Sequence, residues 1–223
     1  MGKEEEVVKK NKFVKLLIIL LVLYIIGFNI YRLLVLPINN IYIKNNEYLT
    51  DQEVIDIAGI RDYPSFALTS KFKIRNNLRK NEFIKDVKVS KKIGRTVTIT
   101  INEYIPLFKY KDKIILESGK QIERSLNLPI IINDVDEDIL SKLVEKFINV
   151  DDEIRLMISE IKYDPNNIDK ERFLFTMNDG NYVYITLYKI TSINEYIKIL
   201  STLPSDKKGT LFLDSGNYFK KFD

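Results

Sequence analysis

The chain has 223 residues, 35 Lys+Arg and 31 Asp+Glu, and a formal net charge of +4. It contains no Cys, no His and no Trp, which removes disulfides, thiolate nucleophiles, imidazole bases and the usual zinc ligands. Residues 37–223 carry 29 basic and 28 acidic side chains; that balance argues against a nucleic-acid binder, and the length suffices for one or two buried cores.

The first element in chain order is an uncharged apolar run, Leu16–Phe28, extended by Phe13-Val14 and Leu33–Leu36. At ~1.5 Å rise per residue, about 20 residues cross a hydrocarbon core of ~30 Å. Residues 13–36 are therefore read as a transmembrane helix. Lys3, Lys9, Lys10, Lys12 and Lys15 precede it, and orientation follows Lys and Arg rather than Asp and Glu. The leader, residues 1–12, is thus expected in the cytoplasm and the remainder outside. A cleaved signal peptide would need a small-x-small site after its apolar core. Here Gly27 is followed by Phe28-Asn29-Ile30-Tyr31-Arg32, so the anchor is expected to stay.

Pro37 ends the membrane helix. Ile38–Ile43 has strand character. Thr50-Asp-Gln-Glu53 has capping-box spacing, and Gly59 suits the residue past a helix end. A second helix is predicted over about 68–80, with Leu68, Phe72 and Leu78 as its sparse apolar positions. Ile84–Val89 reads as a strand. Thr96–Asn102 alternates strictly, with Val and Ile on one face and Thr and Asn on the other. The order β-α-α-β-β occupies residues 37–105.

Residues 106–223 form a second, β-rich block. Leu107–Tyr110, Lys113–Glu117 and Gln121–Glu123 are short predicted strands around Ser118-Gly119-Lys120, followed by Leu128–Ile132. Ile139, Leu140, Leu143, Val144, Phe147 and Ile148 recur at helical spacing behind Asp134, Asp136, Glu137 and Asp138. Those acids lack the spacing of a calcium loop and complement the helix dipole. Ile158–Ile161 is a further strand. Phe173–Met177 and Tyr182–Leu187 flank Asn178-Asp179-Gly180, a hairpin signal. Ile193, Tyr196, Ile197 and Leu200 mark a last helix closed by Pro204. Thr210–Asp214 is read as the final strand. The class is α+β.

In this order the segments resemble the FtsQ/DivIB family of bacterial cell-division proteins, and the β-α-α-β-β block resembles its POTRA domain. Ile57–Ile60 is similar to the family's "agi" helix end. Leu78–Val89 is similar to L-x-x-x-P-x-I-x-x-V-x-V, with Glu82 where Pro is usual. Thr96–Pro106 is similar to a strand ending E-r-x-P, with Glu103 and Pro106 in place and Tyr104 for Arg. Glu117–Gly119, Leu128–Ile130, Asn178–Gly180 and Thr210–Lys221 resemble later motifs, although Ser215-Gly216 replaces the usual pair after Asp214.

The resemblance implies a non-enzymatic scaffold in the plasma membrane at the division septum. It would bind small coiled-coil proteins of the FtsL and FtsB/DivIC type and act on septal wall synthesis, with the synthase complex as a further partner. No cofactor, metal or nucleic acid is expected. Docking is assigned to an edge strand and its flank, Leu211, Phe212, Leu213, Asp214, Tyr218 and Phe219, through strand addition. A second candidate surface is basic: Lys71, Lys73, Arg75, Arg79, Lys85, Lys88, Lys91 and Lys92. It would meet anionic headgroups, wall polymers or an acidic partner, or be a solvated face whose lysines block aggregation. Tyr182, Tyr184, Tyr188, Tyr196 and Tyr218 suit an interface or ordinary strand packing. Glu103 is expected in an exposed pair or a turn contact. Two rival functions remain: a membrane-anchored Ser/Lys peptidase with Ser65 as nearest candidate nucleophile, and a wall-polymer sensor.

Overall fold

The computed structural model describes residues 2–203 and 208–222; the helix stop expected at Pro204 lies outside them. The chain divides into two compact units between Glu103 and Tyr104.

The N-terminal unit opens with helix α1, Gly2–Val35. Its Val14–Val35 stretch is long and apolar enough to cross a membrane, and none of it is buried. Then follow β1 (Asn40–Lys44), α2 (Asp51–Ala58), α3 (Lys71–Leu78), β2 (Ile84–Lys92) and β3 (Thr96–Glu103). The sheet order is β1-β3-β2, with β1 parallel and β2 antiparallel to β3. The alternation in β3 puts Val97, Ile99 and Ile101 in the core with Val87, Val89, Val54 and Leu78. Helix α2 carries the expected capping box: Glu53 N–H donates to Thr50 Oγ1, and Thr50 N–H donates to Glu53 Oε2 at 2.7 Å. Gly59 follows at φ 71°, the left-handed position that glycine tolerates.

Helix α3 departs from expectation. It starts at Lys71 rather than Leu68, behind Ser70 as N-cap. Its buried pair is Ile74 and Leu78, four residues apart, whereas Leu68 and Phe72 are 70% and 69% exposed. The core selects the i, i+4 pair that points at the sheet, and the two other apolar side chains are left outside.

The described residues of the C-terminal unit form one nine-stranded mixed sheet, ordered β12-β11-β10-β9-β8-β7-β4-β5-β6. Its strands are β4 (Pro106–Tyr110), β5 (Lys113–Leu116), β6 (Gln121–Ile122), β7 (Ile130–Ile131), β8 (Ile158–Tyr163), β9 (Arg172–Met177), β10 (Tyr182–Thr186), β11 (Gly209–Phe212) and β12 (Tyr218–Lys221). Helices α4 (Glu137–Phe147), α5 (Asp152–Met157) and α6 (Tyr196–Ser201) and a 3-10 stretch, Leu187–Glu195, complete it. Leu143 and Phe147 of α4 and Ile190 and Ile193 share one core with Phe173, Phe175, Val183, Ile185, Leu211 and Leu213. Phe147 meets Phe108 and Phe175 edge-on. Helix α5 and the part of the 3-10 stretch before Ile193 carry no sequence signal of their own, whereas Ile193 lies where the last helix is expected to begin. Helix α5 is six residues long, about one and a half turns, and the 3-10 stretch is broken at Lys189, φ −111°, and winds with a 3-10 rather than an α-helical period.

The final strand is also different from the one expected. Thr210–Leu213 is interior, parallel to β10 on one side and antiparallel to β12 on the other. The edge is β12. Its four residues follow a turn with Asn217 at φ 54°. Tyr-Phe-Lys-Lys has no alternation to mark it as a strand.

Candidate functional site

Two surfaces stand out, one in each unit. In the C-terminal unit, strand pairing stacks aromatic rings across the sheet face opposite the core. Register sets Tyr184 beside Phe212 and Phe212 beside Tyr218. The Tyr184 and Phe212 rings stack at 5.2 Å between centroids, and Phe212 and Tyr218 at 4.6 Å. Cross-strand aromatic pairs of this kind fix sheet geometry. The ladder starts at Arg172, whose guanidinium lies 3.6 Å from the Tyr184 ring centroid. Arg172 also donates from Nε to Asp214 Oδ2 and from Nη1 to Asp164 Oδ2, each at 2.8 Å. Burial works against its charge, but Asp214, Tyr184 and Asp164 together raise its pKa above the ordinary arginine value. Farther along β12's flank, Tyr182 meets Phe222 edge-on at 5.7 Å.

The expected docking residues thus separate. Leu211 and Leu213 face the core. Asp214 is an anchor for Arg172. Phe212 is half-buried in the ladder, Tyr218 is 49% exposed at its outer end, and Phe219 leans on the core. Of the five tyrosines, Tyr196 is fully buried and its hydroxyl donates to Asp179 Oδ2 at 2.8 Å while Asn181 Nδ2 donates to it at 3.1 Å. Burial first, and Asp179 second, push its pKa well above the ordinary tyrosine value. Asn181 Oδ1 in turn accepts from Gly209 N–H at 2.9 Å, so the hairpin turn, a helix and β11 are tied together. Gly209 is needed there for space: a Cβ would stand 2.3 Å from the Lys220 carbonyl and 2.6 Å from the Phe219 ring. Sequence reasoning missed Arg172 and Gly209, since neither role exists before β9 is set beside β10, β10 beside β11 and β11 beside β12.

In the N-terminal unit the basic residues differ in their surroundings. Lys91 is half-buried and donates to the carbonyls of Phe66 and of Thr69, the latter at 2.9 Å. Burial and the neighbouring Lys71 lower its pKa from the ordinary lysine value. Arg79 pairs with Asp86 at 3.4 Å. Lys71, Lys73, Lys85, Lys88 and Lys92 are exposed, with Arg75 between. Ser65 serves a turn: its hydroxyl donates to the Leu34 carbonyl and accepts from Leu68 N–H. Glu103 is 8% exposed rather than at the surface. Its carboxylate accepts from three successive backbone N–H groups, Glu47, Tyr48 and Leu49, at 2.8, 2.7 and 3.0 Å.

Comparison with known proteins fits this architecture. Residues 36–104 match the POTRA domain, FtsQ-type. The chain is 27% identical over 227 residues to the cell division protein DivIB of Bacillus subtilis, covering 96% of this chain and 86% of that one. It is 30% identical over 215 residues to DivIB of Bacillus anthracis, covering 92% and 80%. The chain belongs to the DivIB family. It is thus a cell-division protein of a non-catalytic scaffold family with an FtsQ-type POTRA domain. A solved structure, the major extracytoplasmic domain of the trans isomer of DivIB from Geobacillus stearothermophilus, is 20% identical and covers 47% of this chain and 91% of that one, with a TM-score of 0.34.

Proposed function

We propose that this DivIB-family chain is a single-pass scaffold of the division machinery that receives a partner strand on β12. One observation carries the reading. Among the described residues strand β12 is hydrogen-bonded to β11 alone and ends the nine-stranded sheet, leaving a row of backbone groups open to strand addition. The aromatic ladder ends beside it at Tyr218, and exposed tyrosines are frequent anchors of interfaces. In this reading α1 is the membrane anchor, the leader is cytoplasmic, residues 37–105 and 106–223 lie outside, and the protein works at the septum. Family resemblance makes the partners small coiled-coil proteins of the FtsL and FtsB/DivIC type, through which the scaffold acts on septal wall synthesis.

The test is co-purification of the full-length protein with those partners. Tyr218→Ala is expected to weaken binding about 30-fold, equivalent to ~2 kcal/mol, without loss of folding. Removal of residues 217–223 should abolish binding, with β11 retained as judged by melting. Full binding by folded Tyr218→Ala protein and by the shortened chain would place the docking surface elsewhere. External protease on spheroplasts checks the anchor: it should digest the chain beyond Pro37 and spare the leader.

A further inference from the structure

The end of α1 is bonded to two loops of its own unit. The Leu34 carbonyl accepts from the Ser65 hydroxyl, and the Leu36 carbonyl accepts from Phe66 N–H at 2.8 Å. Ile38 N–H donates to the Pro64 carbonyl at 3.0 Å. The turn between β2 and β3 is tied to the same place: Arg95 Nη1 donates to the Pro37 carbonyl at 3.1 Å, and Asn39 N–H to the Arg95 carbonyl at 2.9 Å. Lys91 then joins that strand end to Phe66 and Thr69. The loop before α3, from Pro64 to Thr69, and the hairpin tip therefore gather where the apolar stretch ends, and α3 starts two residues on, at Lys71.

This end carries side chains out of place in water. Ile93 sits at the hairpin tip and is fully exposed, at 103% relative to a free residue. Leu68 and Phe72 are the two apolar side chains that α3 leaves outside its core. Around them the charge has one sign. Residues 63–81 and 87–102 contain no acidic side chain, while Lys71 and Lys92 are exposed and Arg95 borders Pro37. Apolar side chains ringed by cations are the composition of a surface that rests on an anionic bilayer.

We propose that this end of the N-terminal unit is a lipid-contacting collar: Leu68, Phe72 and Ile93 enter the headgroup layer, and Lys71, Lys92 and Arg95 hold anionic headgroups. The collar rests on the reading of α1 as a membrane anchor. An acidic protein would satisfy the cations, but it would not account for apolar side chains placed at the exit of an apolar helix. The consequence is positional. The collar restricts the swing of the unit about Pro37 and sets its height over the membrane.

Because the chain has no native cysteine, single cysteines report on one place each. Ile93→Cys, Tyr24→Cys within α1 and Glu82→Cys are labelled with an environment-sensitive fluorophore in the full-length protein, reconstituted in phosphatidylglycerol–phosphatidylcholine vesicles. Glu82 precedes β2, and the nine residues of that strand put it roughly 25 Å from the tip. The labels at positions 24 and 93 are expected to be quenched from the lipid, and that at 82 by aqueous iodide. Lys71→Gln and Lys92→Gln, or vesicles of phosphatidylcholine alone, should lower the docked-to-free ratio at position 93, by about fivefold for each charge removed. If the label at 93 is as open to iodide as the one at 82 while that at 24 stays in lipid, the anchor stands and the collar is overturned. A label at 24 found in water overturns the anchor, and the collar with it.

Discussion

The two units end their sheets in different ways. In the N-terminal unit both outer strands, β1 and β2, pair among the described residues only with β3, and β2 carries exposed Lys85, Lys88 and Lys92 along its length. Lysines on an edge discourage a second chain from adding to it. In the C-terminal unit one edge is β6, only two residues long, and the other is β12. That strand also ends in Lys220 and Lys221, but it begins with Tyr218 at the end of an aromatic ladder. One edge thus carries charge along its length, and the other opens on an exposed aromatic ring. The closing devices differ as well. The N-terminal unit holds its β1–α2 loop by a single buried carboxylate, Glu103. The C-terminal unit holds β12 by laying Phe219 and Lys220 tightly over a glycine.

The largest expected effect breaks the first of these devices. Glu103→Ala leaves three backbone N–H groups without their acceptor and is expected to destabilise the N-terminal unit by about 3–4 kcal/mol, because hydrogen bonds to a charged partner are strong and buried donors are costly to strand. Glu103→Gln keeps one oxygen and should cost about half as much. Chemical denaturation followed by probes in each unit measures this; an unfolding curve equal to wild type would show that the carboxylate is dispensable.

Gly209→Ala attacks the second device. The added Cβ would meet the Lys220 carbonyl and the Phe219 ring, so β12 must move, at a cost of about 1–3 kcal/mol. Partner binding should fall with it, while pairing of β9 with β10 persists in hydrogen exchange. Unchanged protection of β12 amides would contradict the close approach.

Tyr196→Phe removes one hydroxyl from the network behind the edge and is expected to cost about 1–2 kcal/mol near neutral pH. The sign with pH follows from the raised pKa of Tyr196 in the folded state. The unfolded tyrosine ionises near pH 10, so the stability lent by the neutral hydroxyl is complete below about pH 10 and declines as pH rises beyond it. The gap between wild type and Tyr196→Phe should therefore narrow in alkaline urea melts. A gap that widens would refute the assignment.

The smallest effect concerns the guarded edge. Lys88→Val should alter unfolding free energy by no more than about 0.5 kcal/mol, as expected of an exposed position. Its consequence should be concentration-dependent self-association in sedimentation, by removal of an edge charge. A monomeric Lys88→Val protein would show that β2 needs no guard.

Local chemistry made much of this fold legible. The α+β class, the capping box at Thr50–Glu53, the stop at Gly59, the alternating strand Thr96–Glu103 and the hairpin at Asn178–Gly180 all rest on residues within a few positions of one another. Length and apolarity alone mark Val14–Val35. The tertiary structure decided what depends on distant neighbours. Glu103 falls on the inward face of the alternating strand, in step with Val97, Ile99 and Ile101, and what lets a carboxylate stay there is the loop at Glu47–Leu49, which offers three N–H groups 54 to 56 residues away in sequence. Leu68, Phe72 and Leu78 read as a helix's inner face, yet the sheet keeps Leu78 alone of the three and takes Ile74 beside it. Strand β12 has no pattern of its own, and only pairing with β11 makes it a strand and an edge. Hydrophobic period and capping are properties of a segment; burial of a charge, choice of a face and possession of an edge are properties of what lies across from it.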